Sequence, residues 1–427
     1  MRGVCAIDFG TSNSATAIDP GSGAAATRLV ELEPGHRTMP TAVFYAVEGL
    51  GPHEPPTRLY GRAAVAAYVE GIEGRLMRSM KSILGSTLAE QSTEVGAGRS
   101  VNYLDVVSGY LGHLKAQAEA EAGTPLERAV LGRPVFFVDD DPVRDARAQA
   151  ALERAAHAVG FAQVQFQYEP IAAALDYENT ITTEQCVLVA DIGGGTSDFS
   201  LVRVGPARRT RVERRDDILA NHGVHVAGTD FDRHIELRHI LPHCGHRTRG
   251  PDGREVPSRV YFDLATWHLI NTCYAPARLA EARRLRTNFS DPLLHARLME
   301  VLEQRLGHAL IGCAEAAKIA VAEAGATVLD LGLIETGLQA PLGESEALQA
   351  IAKDLQRIVD AASETAALAG LRADAVDALY FTGGSTGLAP LVNAIAARFP
   401  AAKVMHGDRL ASVARGLGLH AQRLFAG

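Results

Sequence analysis

No uninterrupted apolar run reaches the ~20 residues that a membrane-spanning helix needs, so the sequence reads as that of a soluble protein with no membrane partner. Cysteine is scarce. Cys5, Cys186, Cys244, Cys273 and Cys313 are odd in number and dispersed, the pattern of reduced thiols and not of a disulfide framework. Basic excess is missing too: the net charge is -8 and the pI is near 6.0, which argues against nucleic acid as a partner. One local exception, Arg208, Arg209, Arg211, Arg214 and Arg215, is interleaved with Glu213, Asp216 and Asp217 and reads as a solvated surface. The first residues run into Asp8 before a secretory apolar core can form, and no transit-peptide composition follows, so the expected location is cytoplasmic. What is present is a globular mixture, 47% apolar and 22% charged, in a chain longer than one core usually supports. Two lobes are expected.

Two stretches carry the chemistry. Val187 to Val202 reads as two apolar runs of strand length around the turn Gly193-Gly194-Gly195-Thr196, a buried β-hairpin whose tip holds Asp191, Thr196 and Asp198. A turn that only glycines make tightly lets successive backbone N–H groups converge on an anion, and the paired aspartates suit a hydrated Mg2+ beside it. The tip is therefore expected to bind phosphate. Val4 to Ile18 repeats the plan, with Asp8 closing the first strand and Gly10-Thr11-Ser12-Asn13 in the turn. An ordinary β-turn would explain one copy; two copies, each with Thr-Ser after glycine, point to similar lobes facing one ligand.

Between these landmarks the chain alternates strands and helices. Helices are expected over 63–69, 103–122, from Asp139-Asp140-Asp141-Pro142 to Gly160, over 344–369 and over 409–424, and strands over 41–45, 129–137, 164–168 and 378–381. Lys81 stands between apolar positions just before Gly85, where a lysine is ordinarily surface. Glu169 precedes Pro170, whose fixed φ suits a helix start, so the carboxylate is held on the last extended residue; capping is the competing explanation. Gly228 opens a helix and permits close approach, and residues 242–257 read as irregular insertion. Glu315, Lys318, Ile319 and Ala322 share one helix face, and Gly383-Gly384-Ser385 forms a strand-to-helix turn suited to a sugar or base. His239, His243, Cys244 and His246 crowd one stretch, but their spacing matches no standard zinc pattern.

The segments AIDFGTSNS at 6–14, MKSILG at 80–85, FQYEPIAAALDYE at 166–178, VADIGGGTSDFSL at 189–201, GTDFD at 228–232, EAAK at 315–318 and FTGGST at 381–386 occur in one order along the chain. In them the chain resembles the DnaK-type heat-shock protein 70 family, and most of all its short YegD-like homologues. The resemblance spans nearly the whole chain. It implies an α/β, actin-like ATPase fold: two ribonuclease-H-like lobes, residues 1–185 and 186–427, flanking a nucleotide cleft. It implies ATP or ADP as ligand, with Asp8, Asp191 and Asp198 around Mg2+. Thr11, Ser12, Gly194, Gly195 and Thr196 would cradle phosphates, together with the rest of both turns, Gly10, Asn13 and Gly193, and Gly228. Lys81 would stabilise the transferring group, and Glu169, Asp191 or Thr196 would assist the attacking water. Glu315 and Lys318 would bind the ribose, with Gly383, Gly384 and Ser385 under the nucleoside.

Two departures qualify what the resemblance implies. The family clamps adenine between two arginines and touches the base with a serine, whereas the matching positions here are Ile319 and Gly387 for the arginines and Ala322 for the serine. Each lost partner should weaken stacking or cation–π contact by ~1 kcal/mol or more. The sequence also stops at Gly427, after the last ATPase helix, so no client-peptide domain is expected. The expected function is a slow Mg-dependent ATPase acting as a nucleotide switch or chaperone, read by an unidentified protein partner or client. Alternatives are a nucleotide-sensing scaffold that does not hydrolyse, a small-molecule kinase on the same fold, and an actin-like filament protein.

Overall fold

Along the strand Val4–Phe9 the side chains alternate between two apolar layers, Cys5, Ile7 and Phe9 on one face and Val4 and Ala6 on the other. The strand Gln185–Ile192 does the same, with Leu188, Ala190 and Ile192 opposed to Val187 and Val189. Both strands are covered on two sides. That is why they read as unbroken apolar runs.

The structure is a computed structural model and describes residues 3–19, 27–51, 54–138, 141–408 and 411–425. Asp139 and Asp140, Arg409 and Gly427 lie outside the described residues, as do residues 52 and 53. Each strand just described leads a sheet. The first sheet runs Gln163–Tyr168, Arg128–Arg133, Val4–Phe9, Asn13–Asp19, Arg28–Leu29, with Thr38–Pro40 also paired to Asn13–Asp19. The second runs Lys403–His406, Ala378–Thr382, Gln185–Ile192, Ser197–Val204, Ile218–Val224. In both, the leading strand pairs antiparallel with its hairpin partner on one side and parallel with a later strand on the other. The same order and the same sense of pairing recur in the two sheets.

One layer serves both sheets. The helix Glu169–Glu178 and the last helix, Ser412–Phe425, place Ile171, Ala172, Leu175, Val413, Leu417 and Ala421 against the inner faces of both sheets. Gly416 makes this possible, since a Cβ there would run into the Ala172 carbonyl. The last helix packs on the first hairpin and on Arg128–Arg133, so it leaves the lobe in which its sequence position had placed it. Its apolar stripe finds the uncovered face of the first sheet.

The helices expected at 103–122 and 344–369 are observed as Tyr103–Ala122 and Glu344–Leu368, and that expected at 63–69 as Gly61–Glu70. The helix after residue 141 is Pro142–Ala158, capped by Asp141. The strand expected over 129–137 ends at Arg133, where Pro134 removes a donor that the ladder would need. The run from Ala326 to Glu335, which reads as strand, is observed as Ala326–Asp330 paired with Gln339–Gly343, whereas the short hairpin of Ser92–Gly96 with Arg99–Asn102 was not anticipated. The arginine cluster is a correction as well: Arg214 and Arg208 are buried and ion-paired with Glu178, Asp217 and Glu184 instead of solvated.

Candidate functional site

The two hairpin tips face each other. Ser12 Oγ lies 3.3 Å from where a Gly194 side chain would begin, so the missing Cβ sets how closely the turns approach. A Cβ on Gly10 would strike the Asn13 carbonyl oxygen. None of the four turn glycines has a positive φ, so the turns use glycine for space and not for a left-handed backbone. The second turn is braced from outside: Ser385 Oγ donates to Gly193 O at 2.7 Å, Gly228 N at 3.3 Å, and Thr229 N and Oγ1 both donate to Gly194 O at 2.8 Å. The first turn has a lighter brace, Thr41 N to Ser12 O at 2.9 Å.

Lys81 and Glu169 meet at this crossing. The strand Gly74–Arg78 ends at Ser79, whose φ of 54° turns the chain into the helical turn Met80–Ile83. Met80 and Leu84 are buried on either side of Lys81, whose side chain reaches Glu169. Its Nζ donates to Glu169 Oε1 at 2.5 Å. Glu169 opens its helix, where the macrodipole favours a carboxylate, and Gly132 leaves room beside it with Glu169 Cγ only 3.2 Å from the missing Cβ. The expectation of a surface lysine is overturned: the side chain is 10% exposed.

Negative charge is in excess around that ammonium. Burial, then the Glu169 carboxylate, pushes the Asp8 carboxyl up to about 8, against the pull of Lys81. Burial and the facing Asp198 push Asp191 up to about 7, and Asp191 and Asp198 are register partners across the second hairpin. Asp198 keeps an edge open to the cleft, yet desolvation on its other sides raises it, opposed by a hydrogen bond from Thr196. Burial would lower Lys81, but Glu169 and Asp8 outweigh it and hold the ammonium charged. The interaction of Asp8 with Asp191 crosses from one hairpin to the other.

Further out, Gly383 has φ +89°, and a Cβ there would sit 2.7 Å from Asp191 Oδ1, so only glycine lets this turn lie against the aspartate. Lys318 is committed to protein partners, Asp232 at 2.6 Å and Gly228 O at 3.2 Å, and so steadies the turn that braces Gly193. Glu315 is exposed on the same helix, Gly384 is exposed at its turn, and Ile319 is 49% exposed one residue beyond Lys318. Sequence reasoning missed Asp232, Thr229 and Gly132. The first two stand in the GTDFD segment beside Gly228 and were legible there; Gly132 reaches Glu169 only through strand pairing.

A family model described as Hsp70 protein matches residues 4–252, more than half of the chain's 427 residues. The chain belongs to the Hsp70 family. With membership comes the actin-like ATPase fold, and the two sheets of like topology are its lobes. It is an Hsp70-like ATP-binding protein. The match takes in both hairpins, Lys81, Glu169 and Gly228, and it ends before Glu315, Lys318 and Gly383–Ser385. Among the described residues no helix is long and apolar enough to cross a membrane.

Proposed function

We propose that this Hsp70-family protein is a slow Mg-dependent ATPase working as a nucleotide switch, of the short YegD-like kind. One observation carries the reading: two acidic hairpin tips face each other across a cleft with the Lys81–Glu169 pair between them. A triphosphate placed there would touch both lobes, residues 1–185 and 186–427 with the last helix crossing between them, and so report its own hydrolysis as a change in lobe closure.

The residues fit a hydrated magnesium ion. Asp8, Asp191 and Asp198 are hard oxygen donors whose raised pKa values a dication would bring down. Among the described residues no three acidic, His or Cys side chains gather closely enough to bind a metal directly; Asp8 and Asp191 would hold the ion through its waters. Bound there, the ion would neutralise phosphate oxygens.

The chain's own groups do the rest. Amides of Gly194, Gly195 and Thr196, with Thr11 and Ser12, cradle the phosphates. Lys81 places its charge on the transferring group, and Glu169, paired with it, orients the attacking water. Glu315 and the Gly383–Ser385 turn take the ribose and nucleoside, and a cytoplasmic protein partner or client reads the closure.

Single-turnover hydrolysis of Mg·ATP tests this. Lys81→Ala and Asp191→Asn should each slow it about a hundredfold or more. Wild-type rates in both variants would end the site assignment. A second reading, a nucleotide-binding scaffold without turnover, draws on Ile319, Ala322 and Gly387 at the base end of the cleft. Tight binding in calorimetry with no phosphate released would select it.

A further inference from the structure

The arginine-rich run after the second hairpin has no part in the nucleotide site, yet two consecutive residues of it grip the two ends of one helix. Arg214, 1% exposed, donates from Nη2 to Glu178 Oε1 at 2.9 Å and from Nη1 to Oε2 at 3.2 Å. Glu178 is the last residue of the helix that Glu169 begins, and Gly205 N also donates to it at 3.1 Å. Arg215 turns the other way. Its guanidinium lies 5.5 Å from the centre of the Tyr168 ring and 5.0 Å from that of Phe136. Tyr168 immediately precedes Glu169, and Arg133 of the first sheet approaches the same ring at 5.1 Å.

The grip is itself braced. Asp217 takes hydrogen bonds from Arg214 and Arg208, and Arg208 donates to Glu184 at 2.9 Å. Buried ion pairs of this kind add little net stability over apolar packing, but bidentate arginine–carboxylate bonds fix direction. Loop stabilisation alone would not require both ends of the same ten-residue helix to be held by neighbouring residues.

We propose that the segment 205–217 is a positioning element for Glu169, setting the register of its helix from the second lobe while Lys81 holds the carboxylate from the first. This rests on the reading of Glu169 as the group that orients water. Arg214 and Arg215 are positioning residues: they touch the helix ends and not the ligand.

The test measures single-turnover hydrolysis and calorimetric Mg·ATP binding for wild type, Arg215→Ala, Arg215→Lys and Arg214→Lys, each with a thermal melt. Arg215→Ala should slow hydrolysis about tenfold while binding stays within about twofold, because small misplacements act on the chemical step. Arg215→Lys should recover part of the rate. Arg215 is exposed, so its variants keep the proposal open to refutation even if Arg214→Lys does not fold. Wild-type rates per folded molecule in the Arg215 variants, or losses that follow only the folded fraction, overturn it. A wild-type chain that binds Mg·ATP without turnover removes both this inference and the reading of Glu169, a failure visible before any variant is made.

Discussion

The two hairpins are built to one plan and stabilised differently. In the first, Asp8 faces Ala15 across the ladder; in the second, Asp191 faces Asp198. The first turn takes its shape from a glycine whose Cβ would strike Asn13 and, among the described residues, is held from outside by Thr41 and by the pairing of Asn13 with Pro40, whereas the second is tied down by Ser385, Gly228 and Thr229. Like charges placed opposite each other destabilise a sheet, so the second tip needs its outside bonds. A repeated fold therefore does not imply a repeated environment: the second copy crowds Asp191 against Asp198 within one hairpin, and the first crowds Asp8 against Glu169 from another element.

The sharpest way to break this comparison is to add one methyl group to each turn. Gly10→Ala should cost several kcal/mol in chemical denaturation, since the new Cβ meets the Asn13 carbonyl. Gly195→Ala, with nothing within 4 Å of its Cβ, should fold nearly as wild type. Equal losses would mean that both turns are shaped alike.

An intermediate effect concerns acid. His420, on the helix that covers the first hairpin, is buried beside Gln167, with Gln167 Nε2 3.2 Å from Nδ1, and burial holds its pKa down at about 4. A folded-state value below the unfolded one means that the unfolded chain binds the proton first, so stability is lost as the pH falls from about 6.5 toward 4. Hydrogen exchange should show strands Val4–Phe9 and Asn13–Asp19 losing more protection at pH 5 than Ser197–Val204. Equal loss in all three would count against it.

The smallest expected effect comes from the aspartates. Without nucleotide, Asp191→Asn should raise stability by about 0.2–1 kcal/mol by removing the like charge opposite Asp198. Asp8→Asn, opposite alanine in its ladder but pressed by burial, Glu169 and Asp191, should gain at least as much. A thermal melt of the two variants shows whether the crowded carboxylates carry a measurable load.

Much of this was legible along the chain. The apolar runs around Asp8 and Asp191 and the Glu169-Pro170 start are local signals, and local signals survive folding. Their convergence was legible only through the repetition of one hairpin and through the family resemblance. Arg214 was misread because its partner Glu178 lies 36 residues earlier, beyond any charge-spacing rule. The hairpin Ser92–Asn102 was missed because its alternation is weak and mostly polar.

The last helix carries a consequence for how the protein is made. Since residues 412–425 lie on the strands of residues 4–19, part of an apolar face of the first sheet stays bare until that helix is made. It stays bare until some four hundred later residues have left the ribosome. Covering an early hairpin with a helix made about four hundred residues later makes the emergence of that helix, and not the completion of either sheet, the moment at which this face of the nascent protein stops being sticky.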